Sequence, residues 1–175
     1  LRLPSGPHWL EQVHGTRVIR PGDPDTCADA CVTDRPGEVC AVLTADCLPV
    51  LLCNMAGTEV AACHAGWRGL AAGVIEVTVA AMNSKPDEIL AWLGPAIGPD
   101  AYEVGSEVYE TFVNLDPENT SAFEPRNDRW LADLYRLARI RLGALGVSAV
   151  YGGGLCTYSD AERFYSYRRD GATGR

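Results

Sequence analysis

Apolar and polar positions change rhythm along this chain. The first third carries short runs, "HWLEQV", "RVIR", "ACVTD" and "VCAVLTA", and each predicts a strand. "PVLLCN" and "EVAACH" follow, on either side of a turn containing Gly57, and predict a hairpin of well-buried strands. The small residues Ala61, Ala62 and Cys63 suggest close packing against a neighbouring layer. From residue 67 the spacing turns helical. Trp67, Leu70, Ala71, Val74 and Thr78 form one apolar stripe and Ala72, Ile75, Val79 and Met82 a second, so residues 67–82 read as one largely buried helix. "EILAWLG" predicts a strand, and "GSEVYETFVNL" a short helix. "DRWLADLYRLARIRLGALG" has the clearest amphipathic spacing and predicts a helix capped by Asp128 and closed at Gly146. "VSAVYGGG" predicts a last strand.

Strands and helices mix without strict βαβ alternation. The expected class is therefore α+β (mixed α/β), with layered mixed β-sheets and packed helices. The chain has 175 residues, which suits a single domain spanning 1–175. A formal net charge of −8 disfavours non-specific binding to nucleic acid or to anionic membranes. No apolar run is long enough to span a bilayer, and residues 1–15 carry prolines and polar groups where a signal peptide needs an apolar stretch. A cytoplasmic location is the default expectation. Of the seven cysteines, several sit in apolar runs, and most are expected as buried, reduced thiols. Cys27 and Cys31 have a C-x3-C spacing that zinc knuckles use, but no second pair matches it.

The chemistry concentrates at strand ends. There are three histidines. His8 has an incidental, exposed-looking context. His14 ends "QVHG" and His64 ends "AACH", each where a strand gives way to a glycine-containing turn, and such turns often carry sites. Cys47, in "TADCLPV", lies between two apolar runs. Two imidazoles and a thiolate suit tetrahedral zinc with an open fourth position. A helix starting near Trp67 would favour neutral His64, and Arg68 with the first helical N–H groups suits an anion such as phosphate. Two other readings stay open: a metal-free Cys47–His64 nucleophile–base pair, and two turn histidines beside a buried thiol.

The strings "QVHGTRV", "ADACVTDRPG", "VLTADCLPVLLC", "HAGWRGLAAGV", "LGPAIGPDAYEVGSEV" and "FYSYRRDGATGR" occur in the order found in the YfiH/YlmD-like family. The chain resembles that family, also known as laccase-domain or multicopper polyphenol oxidase proteins, over essentially its whole length. The resemblance implies a fold like that of the cytotoxic-necrotizing-factor catalytic domain. It implies a metal site built from His14, Cys47 and His64, with zinc the expected ion and copper the alternative. It also implies purine nucleoside chemistry: phosphorolysis of adenosine, inosine, guanosine and methylthioadenosine, and deamination of adenosine. Family members usually carry a longer N-terminal segment before "QVHG" and a final strand after "TGR", so this chain is expected to lack both. Asn54 stands where aspartate is common.

Within that chemistry, Cys47 and His64 are the expected catalytic residues, and Asp46 and Glu103 the candidate carboxylates for moving protons. Arg68 and Arg168 are candidates for holding phosphate, and Tyr102, Tyr167 and Phe164 for stacking on a base. The expected partners are a purine nucleoside and phosphate, with the chain a monomer or homodimer. The alternatives are a copper-dependent phenol oxidase and a thiol-dependent amidohydrolase acting on cell-wall precursors through Cys47, both implied by the same resemblance, and a non-catalytic metal- or partner-binding module. Three histidines cannot ligate the several copper ions of a multicopper laccase, which leaves a single copper for the first of these.

Overall fold

A computed structural model of the chain describes residues 3–174. Leu1, Arg2 and Arg175, the last residue of the "FYSYRRDGATGR" string, lie outside the described residues. Two sheets and a helical layer make up the fold. The main sheet contains β1 (Val18–Ile19), β2 (Ala30–Thr33), β3 (Leu48–Asn54), β4 (Val60–Ala65), β5 (Ile89–Leu93) and β9 (Ala149–Gly152), in the order β1-β2-β4-β3-β5-β9. Its outer pairs β1/β2 and β5/β9 are parallel, and the three inner pairs are antiparallel. A smaller antiparallel sheet joins β6 (Glu103–Val104), β8 (Arg129–Ala132) and β7 (Phe123–Arg126). The helices are α1 (Trp67–Ala72), α2 (Val74–Ala81), α3 (Ser106–Leu115), α4 (Leu134–Ala144) and α5 (Tyr167–Asp170). This is the mixed α+β architecture expected from the pattern. Among the described residues no helix is long and apolar enough to cross a membrane.

Period-two alternation decides which sheet face is buried. Val50 and Leu52 of β3, Ala61 and Cys63 of β4, and Ala91 and Leu93 of β5 point to one side and meet Leu70, Val74, Ile75, Leu137 and Leu142 of the helices in a single core. The opposite face divides in two. Over β2 it is covered by the extended segment around Cys40, whose Sγ lies 3.3 Å from that of Cys31. Over β3, β5 and β9 it stays open, and Leu51, Trp92 and Tyr151 are exposed there beside Val60.

The β3–β4 hairpin forms as expected, with Pro49 opposite His64 and Leu48 opposite Ala65. Asn54 organises its turn: its side-chain oxygen accepts from Thr58 N (2.8 Å) and Glu59 N (3.2 Å). The residue that departs from the family's usual aspartate thus fills a turn role through its amide.

Three expectations are corrected. "HWLEQV" and "VCAVLTA" are extended but make only isolated bridges, His8 to Cys40 and Glu11 to Cys27. They lie side by side through the Gln12 amide, which accepts from Leu43 N and donates to Leu43 O, both at 2.8 Å, so a side chain takes the place of a ladder. The helix expected over 67–82 is two helices. Gly73, at φ 97° and ψ 31°, is left-handed and ends one helix where the next begins, a conformation that apolar spacing cannot reveal. The helix expected behind an Asp128 cap starts five residues later: residues 129–132 pair with both β6 and β7, and Asp133 is the cap, accepting from Arg136 N at 3.0 Å. Its far end is as expected, since Gly146 is left-handed and Val147 N returns to Leu142 O at 2.9 Å.

Candidate functional site

Strand register assembles the site. Ala30 of β2 faces Cys63 of β4, so Asp29 stands beside His64, and His64 N donates to Asp29 O at 2.7 Å. On the other side of β4, Pro49 faces His64, which brings Cys47 to the same sheet end. The turn carrying His14 closes over these three. Thus His14, Cys47 and His64, distant in sequence, place their ligand atoms within 4.8 Å of one another. Cys47 Sγ is 3.7 Å from His14 Nε2, and the two imidazole rings meet edge to face, 4.8 Å between centroids.

Asp29 has no exposed surface, and its side chain accepts four N–H groups. Oδ1 accepts from His14 N (2.9 Å) and His64 Nδ1 (2.8 Å), and Oδ2 from Gly15 N (2.6 Å) and Val13 N (3.2 Å). A buried carboxylate needs such compensation, and here the donors are the two histidine-bearing segments. His14 itself sits at φ 62°, a left-handed conformation uncommon outside glycine.

The three ligand residues suit a metal ion. Tetrahedral zinc with one sulfur and one nitrogen ligand sets those atoms about 3.6 Å apart, and the Cys47–His14 separation is 3.7 Å. Gly66 leaves the space this requires: a Cβ there would lie 2.8 Å from His14 Cδ2 and 2.9 Å from Cys47 Sγ. The Cys27–Cys31 pair does not gather as zinc ligands. Cys31 instead faces Cys40, and His14, Cys47 and His64 are the one metal-capable group among the described residues. None of the seven cysteines forms a disulfide, but only Cys31 and Cys63 are buried as expected, and the other five are half-buried.

A pocket of about 610 Å³ opens onto the cluster, and Asp46, Arg68, Tyr102, Tyr167 and Arg168 line it with the three ligands. Arg68 lies over the Trp67 ring, 4.5 Å from its centroid. Arg168 packs its guanidinium 5.5 Å from the Tyr102 ring centroid and donates from Nη1 to Glu103 O at 2.9 Å. Burial pushes the Tyr102 phenol well above its ordinary pKa, so it stays neutral. α1 has six residues, too short for its N-terminus to serve by itself as the anion site expected from the sequence.

The two candidate carboxylates part ways. Asp46 is buried on the pocket wall at φ 91°, and both of its oxygens are engaged: Oδ1 by the Thr157 hydroxyl (2.6 Å) and Oδ2 by Arg168 N (2.7 Å). It brackets α5, which carries Tyr167 and Arg168, against the site. Glu103 is not brought to the pocket. Its half-exposed carboxylate faces Arg126 and Arg129 of the β7–β8 hairpin, because β6 pairs with β8. Phe164 is likewise absent from the pocket lining and lies under Arg163. His8 is more enclosed than its context suggested, with a buried Nε2 that has no hydrogen-bond partner. The residue that the sequence reading missed is Asp29. Its signal was a charge inside "ADACVT", a run otherwise small and apolar enough to be buried throughout.

Comparison with known proteins places these features in a family. Purine nucleoside phosphorylase YfiH of Escherichia coli is 58% identical over 176 residues, covering 99% of this chain and 72% of the relative. A purine nucleoside phosphorylase of Pseudomonas aeruginosa is 58% identical over 178 residues, covering 99% and 73%. The crystal structure of a Neisseria meningitidis protein, 54% identical, superposes with a TM-score of 0.91 over 95% of this chain and 71% of that one. YlmD of Geobacillus stearothermophilus, 32% identical, superposes with a TM-score of 0.86 over 95% and 70%. The sequence profile described as multi-copper polyphenol oxidoreductase laccase matches residues 1–175, and the chain belongs to that family, together with its YfiH relatives.

Proposed function

We propose that this chain is a zinc-dependent purine nucleoside phosphorylase that also deaminates adenosine. The observation that carries this reading is a single pocket shared by a His–Cys–His cluster, two arginines and two tyrosines. The names of the E. coli and P. aeruginosa relatives support the phosphorylase part.

In phosphorolysis a phosphate oxygen bonds to the ribose C1′ while the bond from C1′ to the purine nitrogen breaks, and the purine leaves with the electron pair and takes up a proton. Arg68 and Arg168 hold the phosphate dianion, whose charge and oxygens suit guanidinium donors. Tyr102, neutral and held under Arg168, and Tyr167 flank the base. Asp46 keeps α5 in place and so keeps Arg168 over the pocket. A zinc ion on His14, Cys47 and His64 would supply Lewis acidity for activating water or polarising a substrate oxygen. Deamination uses the same pocket: water adds to the purine C6 and ammonia departs, with Asp46, the carboxylate that lines the pocket, carrying the proton. A single His2Cys cluster can hold one copper ion but not the several that laccase chemistry requires.

A second reading has its own support. Asp29 hydrogen-bonded to His64 Nδ1, with Cys47 beside the ring, has the parts of a thiol hydrolase: nucleophile, base and orienting carboxylate. One set of assays separates the two. Purified protein is analysed for metal and incubated with adenosine, inosine or guanosine, with and without phosphate, and the products are resolved by chromatography. Phosphate-dependent release of free base and ribose 1-phosphate, lost on chelation and in Cys47→Ala, is expected. Equal turnover by wild type and Cys47→Ala, or no turnover of any nucleoside by zinc-replete protein, overturns the proposal. Chelator-resistant amide hydrolysis lost in Cys47→Ala establishes the second reading instead.

A further inference from the structure

Asp29 lies outside the reaction as drawn, yet both histidines depend on it. Its backbone is pinned on both sides, N to Arg17 O (3.0 Å) and O to His64 N (2.7 Å), which fixes the point from which the carboxylate reaches its partners. Oδ1 lies between His14 N and His64 Nδ1, and Oδ2 between Val13 N and Gly15 N. A carboxylate only accepts, so His64 Nδ1 is the protonated nitrogen and Nε2 keeps its lone pair for the cluster. The same group ties down the left-handed turn that delivers His14.

We infer that Asp29 is the positioning residue of this site, fixing the tautomer of His64 and the turn of His14 together. The inference rests on the reading that the cluster holds a metal ion. Its chemistry is sharper than that of a general structural contact, because asparagine, equal in size, cannot replace the carboxylate in either orientation. With its amide nitrogen at the Oδ2 position, it sets N–H donors against Val13 N and Gly15 N. With the nitrogen at the Oδ1 position, it leaves His14 N unpaired and donates to His64 Nδ1, which moves the imidazole proton to Nε2 and blocks the ligand atom.

The test begins with the wild-type protein. Long-range nitrogen–proton NMR of the metal-free chain, at a pH where imidazoles are neutral, reads each tautomer, and with three histidines the signals are assigned from His8→Gln and His14→Gln. His64 is expected as the Nδ1–H tautomer, and a proton on Nε2 overturns the inference without any variant at Asp29. In Asp29→Asn, His64 is expected to change tautomer or the His14 turn to loosen, with zinc affinity by chelator competition falling about 10–100-fold. A folded Asp29→Asn that binds zinc as tightly as wild type overturns the inference as well. Should the tautomer and the affinity loss both appear while no nucleoside is turned over, the positioning role stands and the phosphorylase reading falls.

Discussion

Replacing Gly66 by alanine separates the needs of the site from the needs of the fold. Gly66 has φ −64° and ψ 156°, a conformation any residue adopts, so alanine meets no backbone strain. The added Cβ instead falls 2.8 Å from His14 Cδ2 and 2.9 Å from Cys47 Sγ. Ordinary contacts between such atoms are about 3.5–4.0 Å, so His14 must retreat by roughly 0.7 Å or more and Cys47 by roughly 0.6 Å or more. Metal–ligand bonds tolerate about 0.2 Å. A displacement several times that tolerance is expected to lower zinc affinity by at least about 10-fold. The stability cost is smaller. Overpacking costs about 1–3 kcal/mol, and the stiffer unfolded chain returns about 0.4–1 kcal/mol, a net loss of roughly 0–2.6 kcal/mol and a Tm drop of no more than about 10 °C. Chelator competition gives the affinity, and thermal unfolding of the metal-free protein gives the stability. Gly143→Ala is the control: Gly143 is exposed in α4 with nothing within 4 Å of its would-be Cβ, so it is expected to gain about 1 kcal/mol and leave zinc binding unchanged. If Gly66→Ala binds zinc like wild type, the close approach of Gly66 to His14 and Cys47 does not set the geometry of the cluster, and the reasoning fails.

Other consequences can be checked in the same way. Gly73→Ala forces a side chain into the left-handed joint between α1 and α2 and is expected to cost about 1–2 kcal/mol by denaturant titration; an unchanged midpoint means the joint is not strained. Tyr135→Phe removes an acceptor from Ala96 N (2.8 Å) and a donor to Leu155 O (2.7 Å) and is expected to destabilise by about 1–3 kcal/mol at neutral pH. Burial raises the Tyr135 phenol above its ordinary pKa, so its contribution is full below about pH 10 and is lost as pH rises through the folded value. The variant should therefore lose less stability on alkaline titration than wild type, and parallel curves would refute that cause. Arg68→Ala is expected to raise the KM for phosphate about 10–100-fold, from the loss of one charged hydrogen-bonding group, with the KM for nucleoside little changed; equal effects on both would remove Arg68 from the phosphate site.

The legible parts of this molecule were those in which local pattern and tertiary demand agree. The hairpin around Gly57, strand β5 and helix α3 follow from period and turn chemistry alone. His14, Cys47 and His64 were legible as chemistry, because ligand-type residues stood at strand ends, and their meeting was legible only through a family resemblance. The failures share one cause. Trp130 and Leu131 have helical spacing with Leu134 and Leu137, but strand partners in β6 and β7 exist only in three dimensions and override it. Glu103 looked suitable by residue type, yet the pairing of β6 with β8 turns it toward Arg126 and Arg129. Asp29 was missed because its partners come from residues 13–15 and 64, and nothing local marks them.

The register that gathers the cluster also orders its assembly in time. The β3–β4 hairpin closes a short loop and is a local, fast event, and it alone brings Cys47 toward His64. Asp29 arrives only when β2 pairs with β4 across a longer separation, and His14 only when its turn has found Asp29. The complete cluster therefore cannot precede the last of these closures. It reports that β2, β4 and the His14 turn have all closed, and a chain holding the Cys47–His64 hairpin alone lacks the third ligand.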